Sequence, residues 1–116
     1  FPYQAKEQVS PKIVVVGSGP AGLFCAYHLA KQNLNPIIIE RGSKIEERVN
    51  EVNDFLINRK LNPNSNIQFG EGGAGTFSDG KLTTNANDPL ISYILNEFVR
   101  YGAKENIKYD SLTTFT

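Results

Sequence analysis

The sequence predicts an α/β fold with a parallel sheet flanked by helices, on three observations. Lys12 to Val16 (KIVVV) is a continuous β-branched run, a glycine-rich turn and a helical pattern follow at once, and a second apolar run, Pro36 to Glu40 (PIIIE), comes next. Strand, turn, helix and strand within about 30 residues make a βαβ unit. Uninterrupted apolar strands of this kind belong to a parallel sheet covered on both faces.

Each element has its own signal. Residues 1–11 are mixed and polar and read as a lead-in or linker, ending at Pro11. The first helix is expected over Ala21 to Gln32, burying Phe24 and Leu29 with the small Ala21, Cys25 and Ala26. Asn33 and Asn35 suit the turn that ends it. A second helix is expected from Ser43, because Ser43 and Glu46 have the S-x-x-E spacing of a capping box. Ile45, Val49, Val52 and Leu56 then share its apolar face, and Glu46, Glu47, Arg48 and Glu51 read as a solvated face. From Asn62 to Asp88 the chain is loop-like, and a loop that long within a compact domain is functional or disordered. A third helix is expected over Pro89 to Tyr101, with Asp88 as N-cap, Pro89 in the first turn and Gly102 as the stop. Its apolar face is Leu90, Ile91, Ile94, Leu95 and Phe98.

Composition excludes several classes. Twelve basic residues balance twelve acidic ones, which leaves no electrostatic footprint for nucleic acid or an anionic membrane surface. The longest apolar runs are strand-sized, too short to span a bilayer. One cysteine, Cys25, excludes an internal disulfide and any CxxC motif, and it fits a reducing cytoplasm. The chain begins Phe1-Pro2-Tyr3, contains no methionine, and ends at Thr116 without a helix cap, so it reads as a segment of something longer, an incomplete domain over 12–116. An open sheet with a bare apolar face predicts self-association.

Gly17-Ser18-Gly19-Pro20-Ala21-Gly22 matches G-x-G-x-x-G and sits between a strand and a helix, the context that gives the pattern meaning. Gly17 allows a tight turn, Gly19 lets a pyrophosphate approach the backbone, and Gly22 lets helix and strand pack closely. The unpaired N–H groups and positive dipole end of the helix then face the phosphates. Glu40 closes the second strand, where a carboxylate accepts hydrogen bonds from the hydroxyls of an adenosine ribose and disfavours a 2′-phosphorylated cofactor. Arg41 is placed to pack over an adenine or pair with a phosphate. The unit is therefore Rossmann-like, and these residues suit FAD and NAD alike.

A second glycine-rich stretch, Phe69-Gly70-Glu71-Gly72-Gly73-Ala74-Gly75-Thr76-Phe77-Ser78-Asp79-Gly80-Lys81-Leu82, combines five glycines with an acid, a base and hydroxyls. Successive N–H groups in such a loop can form an anion-binding nest. A mobile linker is the alternative, and Phe69, Phe77 and Leu82 argue against it because they favour burial. GSGPAG, the ERG at Glu40 to Gly42 and above all FGEGGAGTFSDGKL resemble the bacterial FAD-dependent dehydrogenases, called NAD(FAD)-utilizing dehydrogenases, among the two-dinucleotide-binding-domain flavoproteins. The resemblance runs from about Lys12 to Tyr109. It implies that Gly17, Gly19, Pro20 and Ala21 hold the FAD pyrophosphate and Glu40 the AMP ribose. It also implies that Gly73, Gly75, Thr76, Asp79 and Lys81 lie toward the flavin, and that Arg48 reaches a phosphate or the flavin edge. Members of that family are several times longer and carry a substrate domain and a late glycine-aspartate segment absent from this sequence.

The expected function is thus the FAD-binding N-terminal portion of a flavin-dependent oxidoreductase, with NAD(P)H as an electron donor in the full-length parent. An NAD-binding dehydrogenase segment and a non-catalytic nucleotide-binding fragment are the alternatives. His28 and Cys25 read as side chains of the first helix, Cys25 as a small core hydrophobe. Lys81 is the one ionisable residue singled out as a candidate for chemistry beside a flavin ring, and no catalytic residue or metal ligand is assigned.

Overall fold

The fold was obtained as a computed structural model. It describes residues 12–77, 81–82, 86–109 and 113–114, the two short pairs by backbone alone, so the lead-in at 1–11 and Asp79 lie outside the described residues. The chain divides into two compact units, residues 1–76 and 77–116.

The first unit is the expected βαβ arrangement followed by a further helix. Its elements are β1 (Val14–Val16), α1 (Pro20–Lys31), β2 (Ile37–Ile39) and α2 (Ile45–Asn58). The strands pair in parallel, with Val14 opposite Ile37 and Val16 opposite Ile39. This is the α/β, Rossmann-like unit that the strand and turn signals predict, with a sheet of two strands. Helix α1 ends as the asparagine predicts. Asn33 takes a positive φ of 59°, its N–H reaches the Ala30 carbonyl, and the Leu34 N–H reaches that of Leu29. These are the paired bonds of a Schellman cap.

Three expectations need correction here. The sheet is not covered on both faces: Val15 is buried on one side, while Val14, Val16, Ile37 and Ile39 on the other are 50%, 83%, 49% and 52% exposed. The physical reason is that α1 packs against the sheet from one side, and among the described residues nothing buries the opposite face. Cys25 is exposed rather than part of the core, and Ala26 is the residue α1 buries. The Ser43–Glu46 capping box does not form. Helix α2 starts at Ile45 with Lys44 as N-cap and no capping side chain. The Ser43 hydroxyl instead donates to Glu51, and the Ile45 N–H donates to the Glu71 carboxylate at 2.7 Å. An acid from a distant loop thus meets the helix N-terminus in place of the local one.

The second unit contains β3 (Lys81–Leu82), α3 (Pro89–Arg100) and β4 (Thr113–Thr114), with β3 and β4 antiparallel. Both ends of α3 follow the sequence. The Asp88 carboxylate accepts the Leu90 N–H at 2.8 Å, and Gly102, at φ 110°, closes a second Schellman cap through Gly102 N–H to Val99 and Ala103 N–H to Phe98. Ile91, Ile94, Leu95 and Phe98 are half-buried, Leu90 is exposed, and Ile107 from the following short turn is buried. Among the described residues no helix is long and apolar enough to cross a membrane.

Candidate functional site

The site is built in the first unit from the glycine turn outward. At Gly22, a Cβ would lie 2.0 Å from the Gly17 carbonyl oxygen, so only glycine lets α1 begin directly against the end of β1. The N-cap of α1 is Gly19, which offers no capping side chain, and the first turn holds no acidic residue. The N–H groups at that end therefore have no side-chain cap and no carboxylate from the helix's own first turn, the arrangement that receives a phosphate.

Glu40 lies just beyond β2 and is tied back to the turn. Its Oε2 accepts from the Ser18 N–H at 2.8 Å and the Ser18 hydroxyl at 2.9 Å, and its Oε1 accepts from the Gly42 N–H at 2.8 Å. These bonds, the one from Gly42 foremost and then that from the Ser18 backbone, hold the Glu40 carboxyl below its ordinary value near 4.5. Glu40 is consequently ionised at neutral pH, with both carboxylate oxygens hydrogen-bonded.

The second glycine stretch folds onto the first. The Gly72 N–H donates to the Ser18 carbonyl at 3.0 Å, and a Cβ on Gly73 would come within 3.2 Å of both the Gly19 Cα and the Pro20 Cδ. On its other side, a Cβ on Gly42 would lie 2.4 Å from the Gly70 Cα, so the backbones touch there too. Residues 62–73 are therefore pinned rather than linker-like. Thr76 closes this stretch by donating its hydroxyl to the Glu71 carbonyl at 3.3 Å.

Beneath the loop lies Arg48, at 0% exposure. Its Nε donates to the Asn66 carbonyl at 2.8 Å, one terminal nitrogen to Glu71 at 2.6 Å and the other to Ile67 at 3.1 Å. Burial pushes the Arg48 guanidinium pKa down from its ordinary value, with Glu40 and Glu51 pulling the opposite way. Glu51, one turn along α2, collects the hydroxyls of Ser43 and Ser65 and the Asn62 amide. The solvated-face reading of α2 holds for the exposed Glu46 and Glu47 and is corrected for Arg48 and Glu51. Arg48 and Val52 form its buried side, while Val49 and Leu56 stay 41% and 54% exposed. The cause is tertiary: loop carbonyls turned inward need donors, and Arg48 supplies three.

Together these parts enclose a cleft of about 590 Å³ lined by Val16, Gly17, Gly19, Ile39, Glu40, Arg41, Gln68, Phe69, Gly70 and Gly73. That volume suits a nucleotide-sized ligand. Of the residues singled out in the sequence, Gly17, Gly19, Glu40, Arg41 and Gly73 meet at the cleft. Ser18 is buried beside it, holding Glu40, and Gly22 packs behind the turn. Pro20 and Ala21 open α1. Gly75 and Thr76 lie in the short turn beyond Gly73, and Arg48 is buried under the loop. Lys81 is placed by its backbone in β3 of the second unit. Sequence reasoning missed Gln68 and Phe69 as cleft residues. Arg41 stacks on Phe69, its guanidinium carbon 5.5 Å from the ring centroid. The one signal was a large aromatic beside a glycine run.

Parallel strands, glycine turn and strand-end acid define a Rossmann-like α/β unit built to hold a dinucleotide. Residues 15–57 match the NAD(P)-binding Rossmann-like domain family. The chain is also similar to an uncharacterized protein of Clostridium beijerinckii, 49% identical over 105 residues that make up 90% of this chain and 20% of that protein. A D-proline dehydrogenase of Pyrobaculum islandicum is 43% identical over 53 residues, 41% of this chain and 15% of that enzyme. An NADPH-Fe(3+) oxidoreductase subunit beta of Geobacter sulfurreducens is 49% identical over 39 residues, 34% of this chain and 6% of that subunit. The chain therefore spans a fifth or less of the length of these relatives.

Proposed function

We propose that this chain holds the ADP portion of FAD within a larger flavin-dependent oxidoreductase. The observation that carries the reading is the ionised, pre-positioned Glu40 facing the same cleft as Gly17 and Gly19, at the uncapped start of α1. In the proposed complex the α1 N-terminus receives the pyrophosphate and Glu40 the ribose hydroxyls. Arg41 and Phe69 offer a flat cationic and aromatic surface to the base. FAD, when bound, supplies the hydride chemistry, and the residues described bind and orient it. The second glycine stretch, including Gly75, Thr76, Asp79 and Lys81, is proposed on resemblance to lie toward the flavin. A reducing, cytoplasmic setting belongs to the same proposal, supported by a single cysteine.

A second reading, an NAD(P)-binding segment, is favoured by the description of the matched family and by the NADPH in the name of the Geobacter relative. Titration of the purified chain with FAD, NADH and NADPH decides between them. Gly19→Ala is the informative variant. Its Cβ would meet the Gly19 neighbourhood at no closer than 4.0 Å, an ordinary contact, yet it occupies the surface a pyrophosphate must approach. Saturable FAD binding that Gly19→Ala abolishes while the variant stays folded is the expected result. Preference for NADH or NADPH would replace the FAD reading with the second one.

A further inference from the structure

Arg48 stands apart from the residues that line the cleft, yet it touches the segment that forms one of its walls. The three carbonyls it binds belong to Asn66, Ile67 and Glu71, and these bracket Gln68, Phe69 and Gly70 on the cleft. The stem of the side chain is as closely engaged as its head. A Cβ on Gly70 would lie 2.6 Å from the Arg48 Cδ, and Gly70, at φ 128°, adopts a backbone conformation that favours glycine. Gly70 is thus packed between Arg48 on one side and Gly42 on the other, and Gly42 follows the strand that delivers Glu40 and Arg41.

A buried arginine is costly unless its hydrogen bonds are met. Here they are met by backbone that would otherwise be free to take other positions, so the guanidinium fork fixes three points of the loop at once. A lysine, with one nitrogen, has no such geometry. We infer that Arg48 is a positioning residue of the nucleotide site, setting the wall formed by Gln68, Phe69 and Gly70 at the distance from Glu40 that admits a nucleotide. This rests on the nucleotide-binding reading of the cleft.

Linkage supplies a test that a purely architectural arginine would not pass. If the Arg48 contacts hold the loop in its binding position, a nucleotide bound there must stabilise those contacts in return. The probe is ADP, added to saturation to the isotope-labelled wild-type chain, with solvent exchange of the Arg48 Nε–H followed by magnetic resonance. Exchange slowed by about fivefold or more, the lower range of typical coupling between sites, is the expected result. Exchange unchanged at saturating ADP overturns the inference while leaving the nucleotide reading intact. A wild-type chain that takes up no ADP overturns both. The Arg48→Lys variant adds a second readout. Its ADP affinity is expected to fall about tenfold or more with the fold retained, since hydrogen bonds to a charged group are lost. A folded Arg48→Lys chain binding ADP within about twofold of wild type would also sink the inference.

Discussion

Gly73 rests against Gly19, so that the second glycine loop closes over the first and a Cβ on Gly73 would crowd the Gly19 Cα at 3.2 Å. This contact, reinforced by the Gly72 N–H on the Ser18 carbonyl, joins two stretches separated by more than fifty residues into one cleft.

Substituting Gly73 with alanine therefore tests the join. The residue sits at φ 75°, and the new Cβ would be 3.2 Å from the Gly19 Cα and the Pro20 Cδ. Left-handed backbone costs an alanine roughly 1–2 kcal/mol, and the loops must also part. Nucleotide affinity is expected to fall about tenfold, read by calorimetric titration with ADP. Unaltered affinity would mean the cleft does not depend on this contact.

Gly42→Ala acts on the fold itself. Its Cβ would fall 2.4 Å from the Gly70 Cα and 2.8 Å from the Gly70 nitrogen, both backbone atoms with little freedom to move. Overpacking of this kind costs about 1–3 kcal/mol, which denaturant titration would register as a lower midpoint. A midpoint equal to wild type would show that residues 64–70 relax without penalty.

Acid should loosen the first unit in a defined direction. Glu51 is held below its ordinary value near 4.5, chiefly by the Ser65 hydroxyl, and Glu40 chiefly by the Gly42 N–H. Folded pKa values below the unfolded ones mean stability is fully present above about pH 4.5 and is lost as pH falls through the folded values. Denaturation midpoints measured from neutral to acid pH should fall, and the fall should be shallower in Glu51→Gln. An identical slope in the variant would remove Glu51 from the account.

The bare sheet face makes a prediction about association. Val14, Val16, Ile37 and Ile39 expose adjoining apolar side chains, a surface that water disfavours. Light scattering should show mass rising with concentration, and Val14→Lys, on the same face but outside the cleft lining, should reduce it. A monodisperse monomer at all concentrations would count against this expectation.

Much of the architecture was legible because its causes are local. KIVVV and PIIIE carry β-branched runs that form the strands Val14–Val16 and Ile37–Ile39, Gly17 to Gly22 makes a turn into a helix, and Asn33, Asp88 and Gly102 set helix ends through their own backbone and side-chain preferences. The residue types at the glycine turn and at Glu40 follow from the same short-range logic.

What tertiary structure alone decided is how distant segments satisfy one another. Arg48 looked like a surface charge in its helix, and only the arrival of residues 66–71 turned it into a buried donor to three carbonyls. Ser43 looked like a helix cap, and its hydroxyl went to Glu51 while Glu71, from far along the chain, took the helix N-terminus. Phe69 became part of a cleft wall because Gly42 and Gly73 let the backbones touch. Hydrogen-bond demand and close packing are properties of pairs of segments, and no single stretch of sequence carries them.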